Sequence, residues 1–206
     1  MTTIIGEIEH DAVTEILNIA VGQAAASLSR LVEDEVTLSV PFVEFLTPEQ
    51  SAARLDEATG GGLSVAVRQE FHSSFSGDIL LIFPERKSLD LVRSMLADTV
   101  PLDQLTELEQ DALIEVGNII LNACLGSLAN QLGLMIESSL PTYVCGRGAS
   151  ILDSKHVDSE LVMFLQVDFS VAAKGVRGYL AFVMDIVSAQ SFASTVSAYV
   201  ARVVAG

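Results

Sequence analysis

Asp11-Ala12-Val13-Thr14-Glu15-Ile16-Leu17-Asn18 decides the reading of this chain, because Asp111-Ala112-Leu113-Ile114-Glu115-Val116-Gly117-Asn118 repeats its pattern one hundred residues later. In each copy Asp, Glu and Asn fall at i, i+4 and i+7. A proline follows the Asn by twenty-three positions, at Pro41 and again at Pro141. With each residue type at a usage of about one in twenty, four such matches in one chosen alignment have odds on the order of 10⁻⁵. The residues around them have drifted: Ile16-Leu17 stands against Val116-Gly117, and Ala20-Val21-Gly22 against Ile120-Leu121-Asn122. Duplication accounts for the shared layout. It does not account for three polar residues and a proline surviving while the apolar packing changed.

At about 100° per residue, the first stretch belongs to a helix over 10–32. Val13, Leu17, Val21, Ala24, Leu28 and Leu31 share one face, and Asp11, Glu15, Asn18 and Gly22 share the other. The second stretch behaves alike. Leu113, Val116, Ile120 and Cys124 lie together, with Asp111, Glu115, Asn118 and Asn122 on roughly the other side. A single polar stripe is the ordinary solvated face of a helix. The same three residue types on both helices point to a site.

The rest of the chain sets bounds. Its 206 residues are half hydrophobic, enough for a large core, and carry a net charge of -16 with only 11 Lys and Arg. That balance argues against nucleic acid and against an anionic membrane surface. Thr2 to Asp11 has no Lys or Arg, so no signal peptide is expected. Val116 to Ile136 is uncharged but holds Asn118, Asn122, Asn130 and Gln131. Amides are costly in hydrocarbon, which favours a buried helix over a membrane span. Cys124 and Cys145 form no metal-ligand spacing and read as reduced thiols of a cytoplasmic protein.

The elements then follow in order. Val36 to Leu46 reads as a strand at a sheet edge, since Pro41 lacks a backbone donor. Residues 47–62 read as loop, including Thr59-Gly60-Gly61-Gly62, which lacks the Lys and following helix of a phosphate-binding loop. Leu63 to His72 and Gly77 to Phe83 form a hairpin, and Arg86 to Ala97 a short helix. The order repeats with a helix opened by Thr106 and Glu109 as a capping box. Strands follow near 138–146, 160–169 and 176–184, with a turn at Ala172-Ala173-Lys174-Gly175, and Asp185 to Val203 is a last helix. The fold class expected is α+β: one domain over 1–206, made of two pseudo-twofold-related helix–three-strand–helix repeats, about 1–100 and 101–206. They fuse into one six-stranded, mostly antiparallel sheet with helices packed on it.

The chemistry open to the site is narrow. Asp, Glu and Asn on one helix turn give too few ligands for a metal. Carboxylates on an exposed helix are poorly placed to shift their pKa values. His10, His72 and His156 lie outside both motifs, and no Ser or Cys nucleophile has a neighbouring His. An amide, however, can hold a water in line with a phosphoryl group, a reaction that needs mainly positioning and charge neutralisation.

The doubled pattern Asp-x₃-Glu-x₂-Asn-x₂₂-Pro, at 11–41 and at 111–141, resembles the signature of the CheC, CheX and FliY family of chemotaxis phosphatases in its two-site form. The resemblance covers essentially the whole chain. It implies dephosphorylation of the aspartyl-phosphate of a CheY-type response regulator. It further implies that Asn18 and Asn118 orient the attacking water, that Glu15 and Glu115 dock the regulator, and that Asp11, Pro41, Asp111 and Pro141 support the motifs. The protein would need no cofactor of its own, with Mg²⁺ supplied by the bound regulator, and CheD is a further possible partner. The second copy departs in its bulkier Ile119-Ile120-Leu121-Asn122. The competing expectation is a non-catalytic module that sequesters a phosphorylated regulator or binds the flagellar switch.

Overall fold

The computed structural model describes residues 5–32, 34–40, 42–95, 105–153, 160–171 and 174–205. Helix α1 (Glu7–Val32) leads into β1 (Val36–Ser39) and β2 (Val43–Leu46), then α2 (Pro48–Thr59), the hairpin β3 (Ser64–His72) and β4 (Ser76–Pro84), and α3 (Glu85–Met95). The same succession returns as α4 (Leu105–Leu132), β5 (Glu137–Ser138), β6 (Thr142–Gly146), α5 (Gly148–Leu152), β7 (Glu160–Val171), β8 (Lys174–Asp185) and α6 (Ile186–Ala205).

All strands join one sheet, in the order β1–β7–β8–β4–β3–β5, with β2 also on β7 and β6 also on β3; every pair is antiparallel. The eight segments occupy six strand positions, because each outer strand is broken once. The second break contains Pro141, between β5 and β6. The first falls between Ser39 and Val43, around Pro41, which lies outside the described residues. A residue without an N–H cannot continue a ladder, which accounts for the break at Pro141, and the first outer strand lies at the sheet edge as the sequence predicts.

The outer strands are exchanged between the repeats. β1 and β2 pair with β7 of the second repeat, and β5 and β6 with β3 of the first. β4 and β8 pair at the centre, Leu80 opposite Ala181, on either side of the pseudo-twofold axis. Val43 and Tyr143 keep the offset of one hundred, whereas their partners Leu165 and Val67 stand ninety-eight apart. The shift arises between them, where α2 has 12 residues and α5 has 5.

Residues 47–62, expected as loop, therefore contain a helix in place of irregular chain. The signals are local. Thr47 Oγ1 accepts the Gln50 N–H at 3.3 Å and Gln50 Oε1 accepts the Thr47 N–H at 3.0 Å, closing a capping box with Pro48 in the first turn. Gly60 ends the helix at φ 61°, a left-handed conformation that suits glycine. The loop expectation failed because the buried face of α2 is Ser51, Ala52 and Leu55, too small to make an apolar stripe. Each repeat is thus helix, broken strand, helix, two strands, helix. The capping box expected at Thr106 and Glu109 involves side chains outside the described residues; α4 itself starts at Leu105.

The sheet has a core on each face. Along β4, Ile79, Leu81 and Phe83 join α1, α4 and α6 in the larger cluster, while Leu80 and Ile82 turn to α2 and α5. This is the period-2 alternation of a strand buried on both sides. On the larger face α1 and α4 pack against each other, and α6 packs on both. Gln110–Leu132 of α4 is long and apolar enough to cross a membrane, with half of its most apolar window buried inside the fold. Ile120, Leu121, Cys124 and Leu128 all have 0% exposure.

Candidate functional site

The two motif helices present the same profile. Val13, Leu17 and Val21 of α1 are buried in the core, as are Leu113, Val116 and Ile120 of α4. Asp11, Glu15, Asp111 and Glu115 are exposed, the Asp11 side chain to 88%, and Asn18 and Asn118 are half-buried. The i, i+4, i+7 spacing on a helix of 3.6 residues per turn forces this arrangement. Its outer acids are solvated and its amide is half-buried.

The residue after β1 fixes the first amide. The Val40 N–H donates to Asn18 Oδ1 at 3.1 Å. A backbone N–H can only donate, so the oxygen end of the amide must face it. Asn18 Nδ2 then has no partner among the described residues, and Oδ1 keeps a second lone pair. The residue before Pro41 is therefore what orients Asn18. His10 adds to this hold: its Nε2–H donates to the Val43 carbonyl at 2.8 Å, tying the start of α1 to β2. The sequence gives His10 no role, although it directly precedes Asp11.

The second amide is held differently. Asn118 Oδ1 accepts from Asn122 Nδ2 at 2.7 Å. Asn122 Oδ1 in turn accepts from Gln69 Nε2 at 3.4 Å, and the same Nε2 donates to the Ser139 carbonyl at 2.9 Å. Ser139 is pinned to β3, its N–H donating to Glu70 O and its Oγ accepting from Glu70 N–H. Leu140, the counterpart of Val40, is 86% exposed where Val40 is 4% exposed. Asn122 belongs to the polar face the sequence shows. Gln69, from a strand 49 positions before Asn118 in sequence, has no local signal.

Glu15 also lines a groove of about 260 Å³ between α1 and α6. Ile8, Ile19, Val203 and Val204 are large apolar residues left exposed there. Tyr199, whose hydroxyl donates to Gln131 Oε1 at 3.4 Å, closes its floor. Among the described residues no group of three His, Cys, Asp or Glu is placed to hold a metal ion. His72 sits in the β3–β4 hairpin opposite Ser76 and is paired on its other side with Glu137, and His156 lies outside the described residues.

The family model described as CheC-like matches residues 8–44, the span from the start of α1 through Asn18 to β2. Over that span the chain is similar to the CheC-like family. The CheY-P phosphatase CheC of Bacillus subtilis is 25% identical over 140 residues, covering 66% of this chain and 66% of that protein, so the match spans just under two thirds of the relative's length. The fold is that of Thermotoga maritima FliY, with a TM-score of 0.74 and 20% identity over 97% of this chain and 100% of that one. The middle domain of FliM from Vibrio alginolyticus shares it with a TM-score of 0.65 and 14% identity, covering 89% and 99%.

Proposed function

We propose that the protein hydrolyses the aspartyl-phosphate of a CheY-type response regulator, using one site on each motif helix. The observation that carries the proposal is the paired amide. In both repeats an exposed Glu is followed, one turn on, by an Asn whose Oδ1 is engaged inside the protein and whose Nδ2 is left to a ligand. The naming of a similar protein as a CheY-P phosphatase supports the choice of substrate.

In this mechanism the regulator brings the phosphoryl group, its Mg²⁺ and its lysine. Asn18 or Asn118 donates from Nδ2 to a water and accepts from it at the second Oδ1 lone pair, holding the oxygen in line with phosphorus. The water oxygen bonds to phosphorus, the bond from phosphorus to the aspartyl oxygen breaks, and the products are inorganic phosphate and the free carboxylate. Little covalent work is asked of the protein, since phosphoryl transfer responds chiefly to positioning and charge. Glu15 and Glu115 pair with a cation of the regulator and set its register. Beside Glu15, the exposed apolar rim of the α1–α6 groove adds contact surface.

The deciding experiment is the decay of a phosphorylated CheY-type regulator with Mg²⁺, with and without this protein. Faster decay at catalytic amounts is expected. Unchanged or slowed decay would replace turnover with sequestration.

A further inference from the structure

We infer that Asn122 and Gln69 are positioning residues for Asn118, and that the second site orients its amide by a side-chain relay where the first uses the backbone. The inference rests on the phosphatase reading above and deepens it.

The strand pairing identifies the counterparts. In the first site Gly22 occupies the place of Asn122, and Val167 the place of Gln69, because β3 and β7 superpose with Val67 on Leu165. The first site thus has neither polar side chain and relies on the Val40 N–H. In the second, Ser139 is bonded to β3, and no Leu140 N–H takes the equivalent place on Asn118 among the described hydrogen bonds. Without a donor, the Asn118 amide would be free to present either end.

The relay supplies that donor, and its direction is set from one end. The Ser139 carbonyl can only accept, so Gln69 must turn Nε2 towards it. Gln69 Nε2 then meets Asn122 Oδ1, Asn122 Nδ2 meets Asn118 Oδ1, and Asn118 Nδ2 is left for the ligand. Turning any one amide would oppose two acceptors or two donors. Gln69 is 2% exposed, and its Oε1 is buried with no hydrogen-bond partner. An unsatisfied buried oxygen is costly, and the first repeat shows that an apolar residue suits the same position. Fixing Asn118 gives that cost a purpose.

The test works in the Asn18→Ala protein, where only the second site turns over. Asn122→Ala and Gln69→Leu should each lower kcat on the order of tenfold with KM little changed, since the regulator still docks while the water is no longer held in line. The thermal midpoint of Asn122→Ala should stay with its parent, because Asn122 is exposed. The side-chain NH₂ resonances of Asn118 should shift in both variants, although Gln69 reaches Asn118 only through Asn122. If Asn118→Ala abolishes turnover in this background while Asn122→Ala and Gln69→Leu keep the parental kcat, the relay is wrong and the phosphatase reading stands. If Asn18→Ala alone removes all turnover, or Asn118→Ala changes nothing, the second site does not work and the inference falls with it.

Discussion

Asn18 Oδ1 and the Val40 N–H meet at 3.1 Å across 22 positions of sequence, joining the motif helix to the broken edge strand that follows it. The β1–β7 ladder ends at Ser39, so the Val40 N–H is not committed to β7 and serves the amide instead.

Replacing Asn18 separates anchoring from chemistry. Asn18→Asp keeps an acceptor for the Val40 N–H, but loses the Nδ2 donor and adds a negative charge. It should fold like the parent and lose the first site's turnover, on the order of 10²-fold at that site. Asn18→Ala leaves the Val40 N–H unpaired, at a cost of about 1–3 kcal/mol, offset by about half a kcal/mol from alanine's helix propensity. Denaturant melts and phosphoryl decay on both variants distinguish the two effects.

The two sites should act independently. Asn18→Ala and Asn118→Ala alone should each keep the other site's share, and the double variant should return decay to the regulator's own rate. A folded double variant with parental turnover would refute the role given to the amides.

Glu15 and Glu115 should act on association. Changing both to Gln should weaken binding of a stable phosphoryl-mimic regulator and flatten its salt dependence, by about 0.2–1 kcal/mol for each rim-exposed pair. Titrations at two salt concentrations read both quantities. Equal affinity and equal salt slope would leave the acids without this role.

Glycines 22 and 117 should respond in opposite directions. A Cβ on Gly22 meets nothing within 4 Å, so Gly22→Ala should stabilise by about 0.5–1 kcal/mol in a helix interior. A Cβ on Gly117 would lie 2.5 Å from Val67 Cβ, so Gly117→Ala should destabilise by about 1–3 kcal/mol. Urea midpoints measure both. The same contact explains why Leu17 has a glycine for its counterpart: the second motif helix runs closer to its strand.

The cysteines differ in reach. Burial pushes the Cys124 thiol from its ordinary 9.0 up to about 12, while Cys145 is exposed. At pH 8 a thiol reagent should modify Cys145 in the native protein and Cys124 only after unfolding. The folded state holds the Cys124 proton more tightly than the unfolded one. Its contribution to stability is therefore fully present below about pH 9 and is lost as pH rises towards 12. Melting midpoints across that range should fall for the parent, and less for Cys124→Ala.

The local elements were legible wherever short-range rules govern. Helical periodicity put Asp11, Glu15 and Asn18 on one face, and Pro41 marked an edge strand. The capping box at Thr47 and Gln50 was equally local, but it was hidden by a helix whose buried face is Ser51, Ala52 and Leu55. Gln69 was invisible for a different reason: in sequence it is one of three consecutive polar residues, between Arg68 and Glu70, with nothing local to single it out.

The sequence by itself determined that one Asp, Glu and Asn pattern occurs twice on helix faces, because a repeat of residue types at helical spacing needs no tertiary knowledge to read. Only the tertiary structure decided how each site is held. The outer strands cross to the opposite repeat, and that pairing brings Gln69 and Ser139 to Asn122 in one site and Val40 to Asn18 in the other. An amide's chemistry depends on which of its ends is engaged, and the groups that engage it come from strands whose partners are chosen by burial of the whole sheet rather than by their own residues.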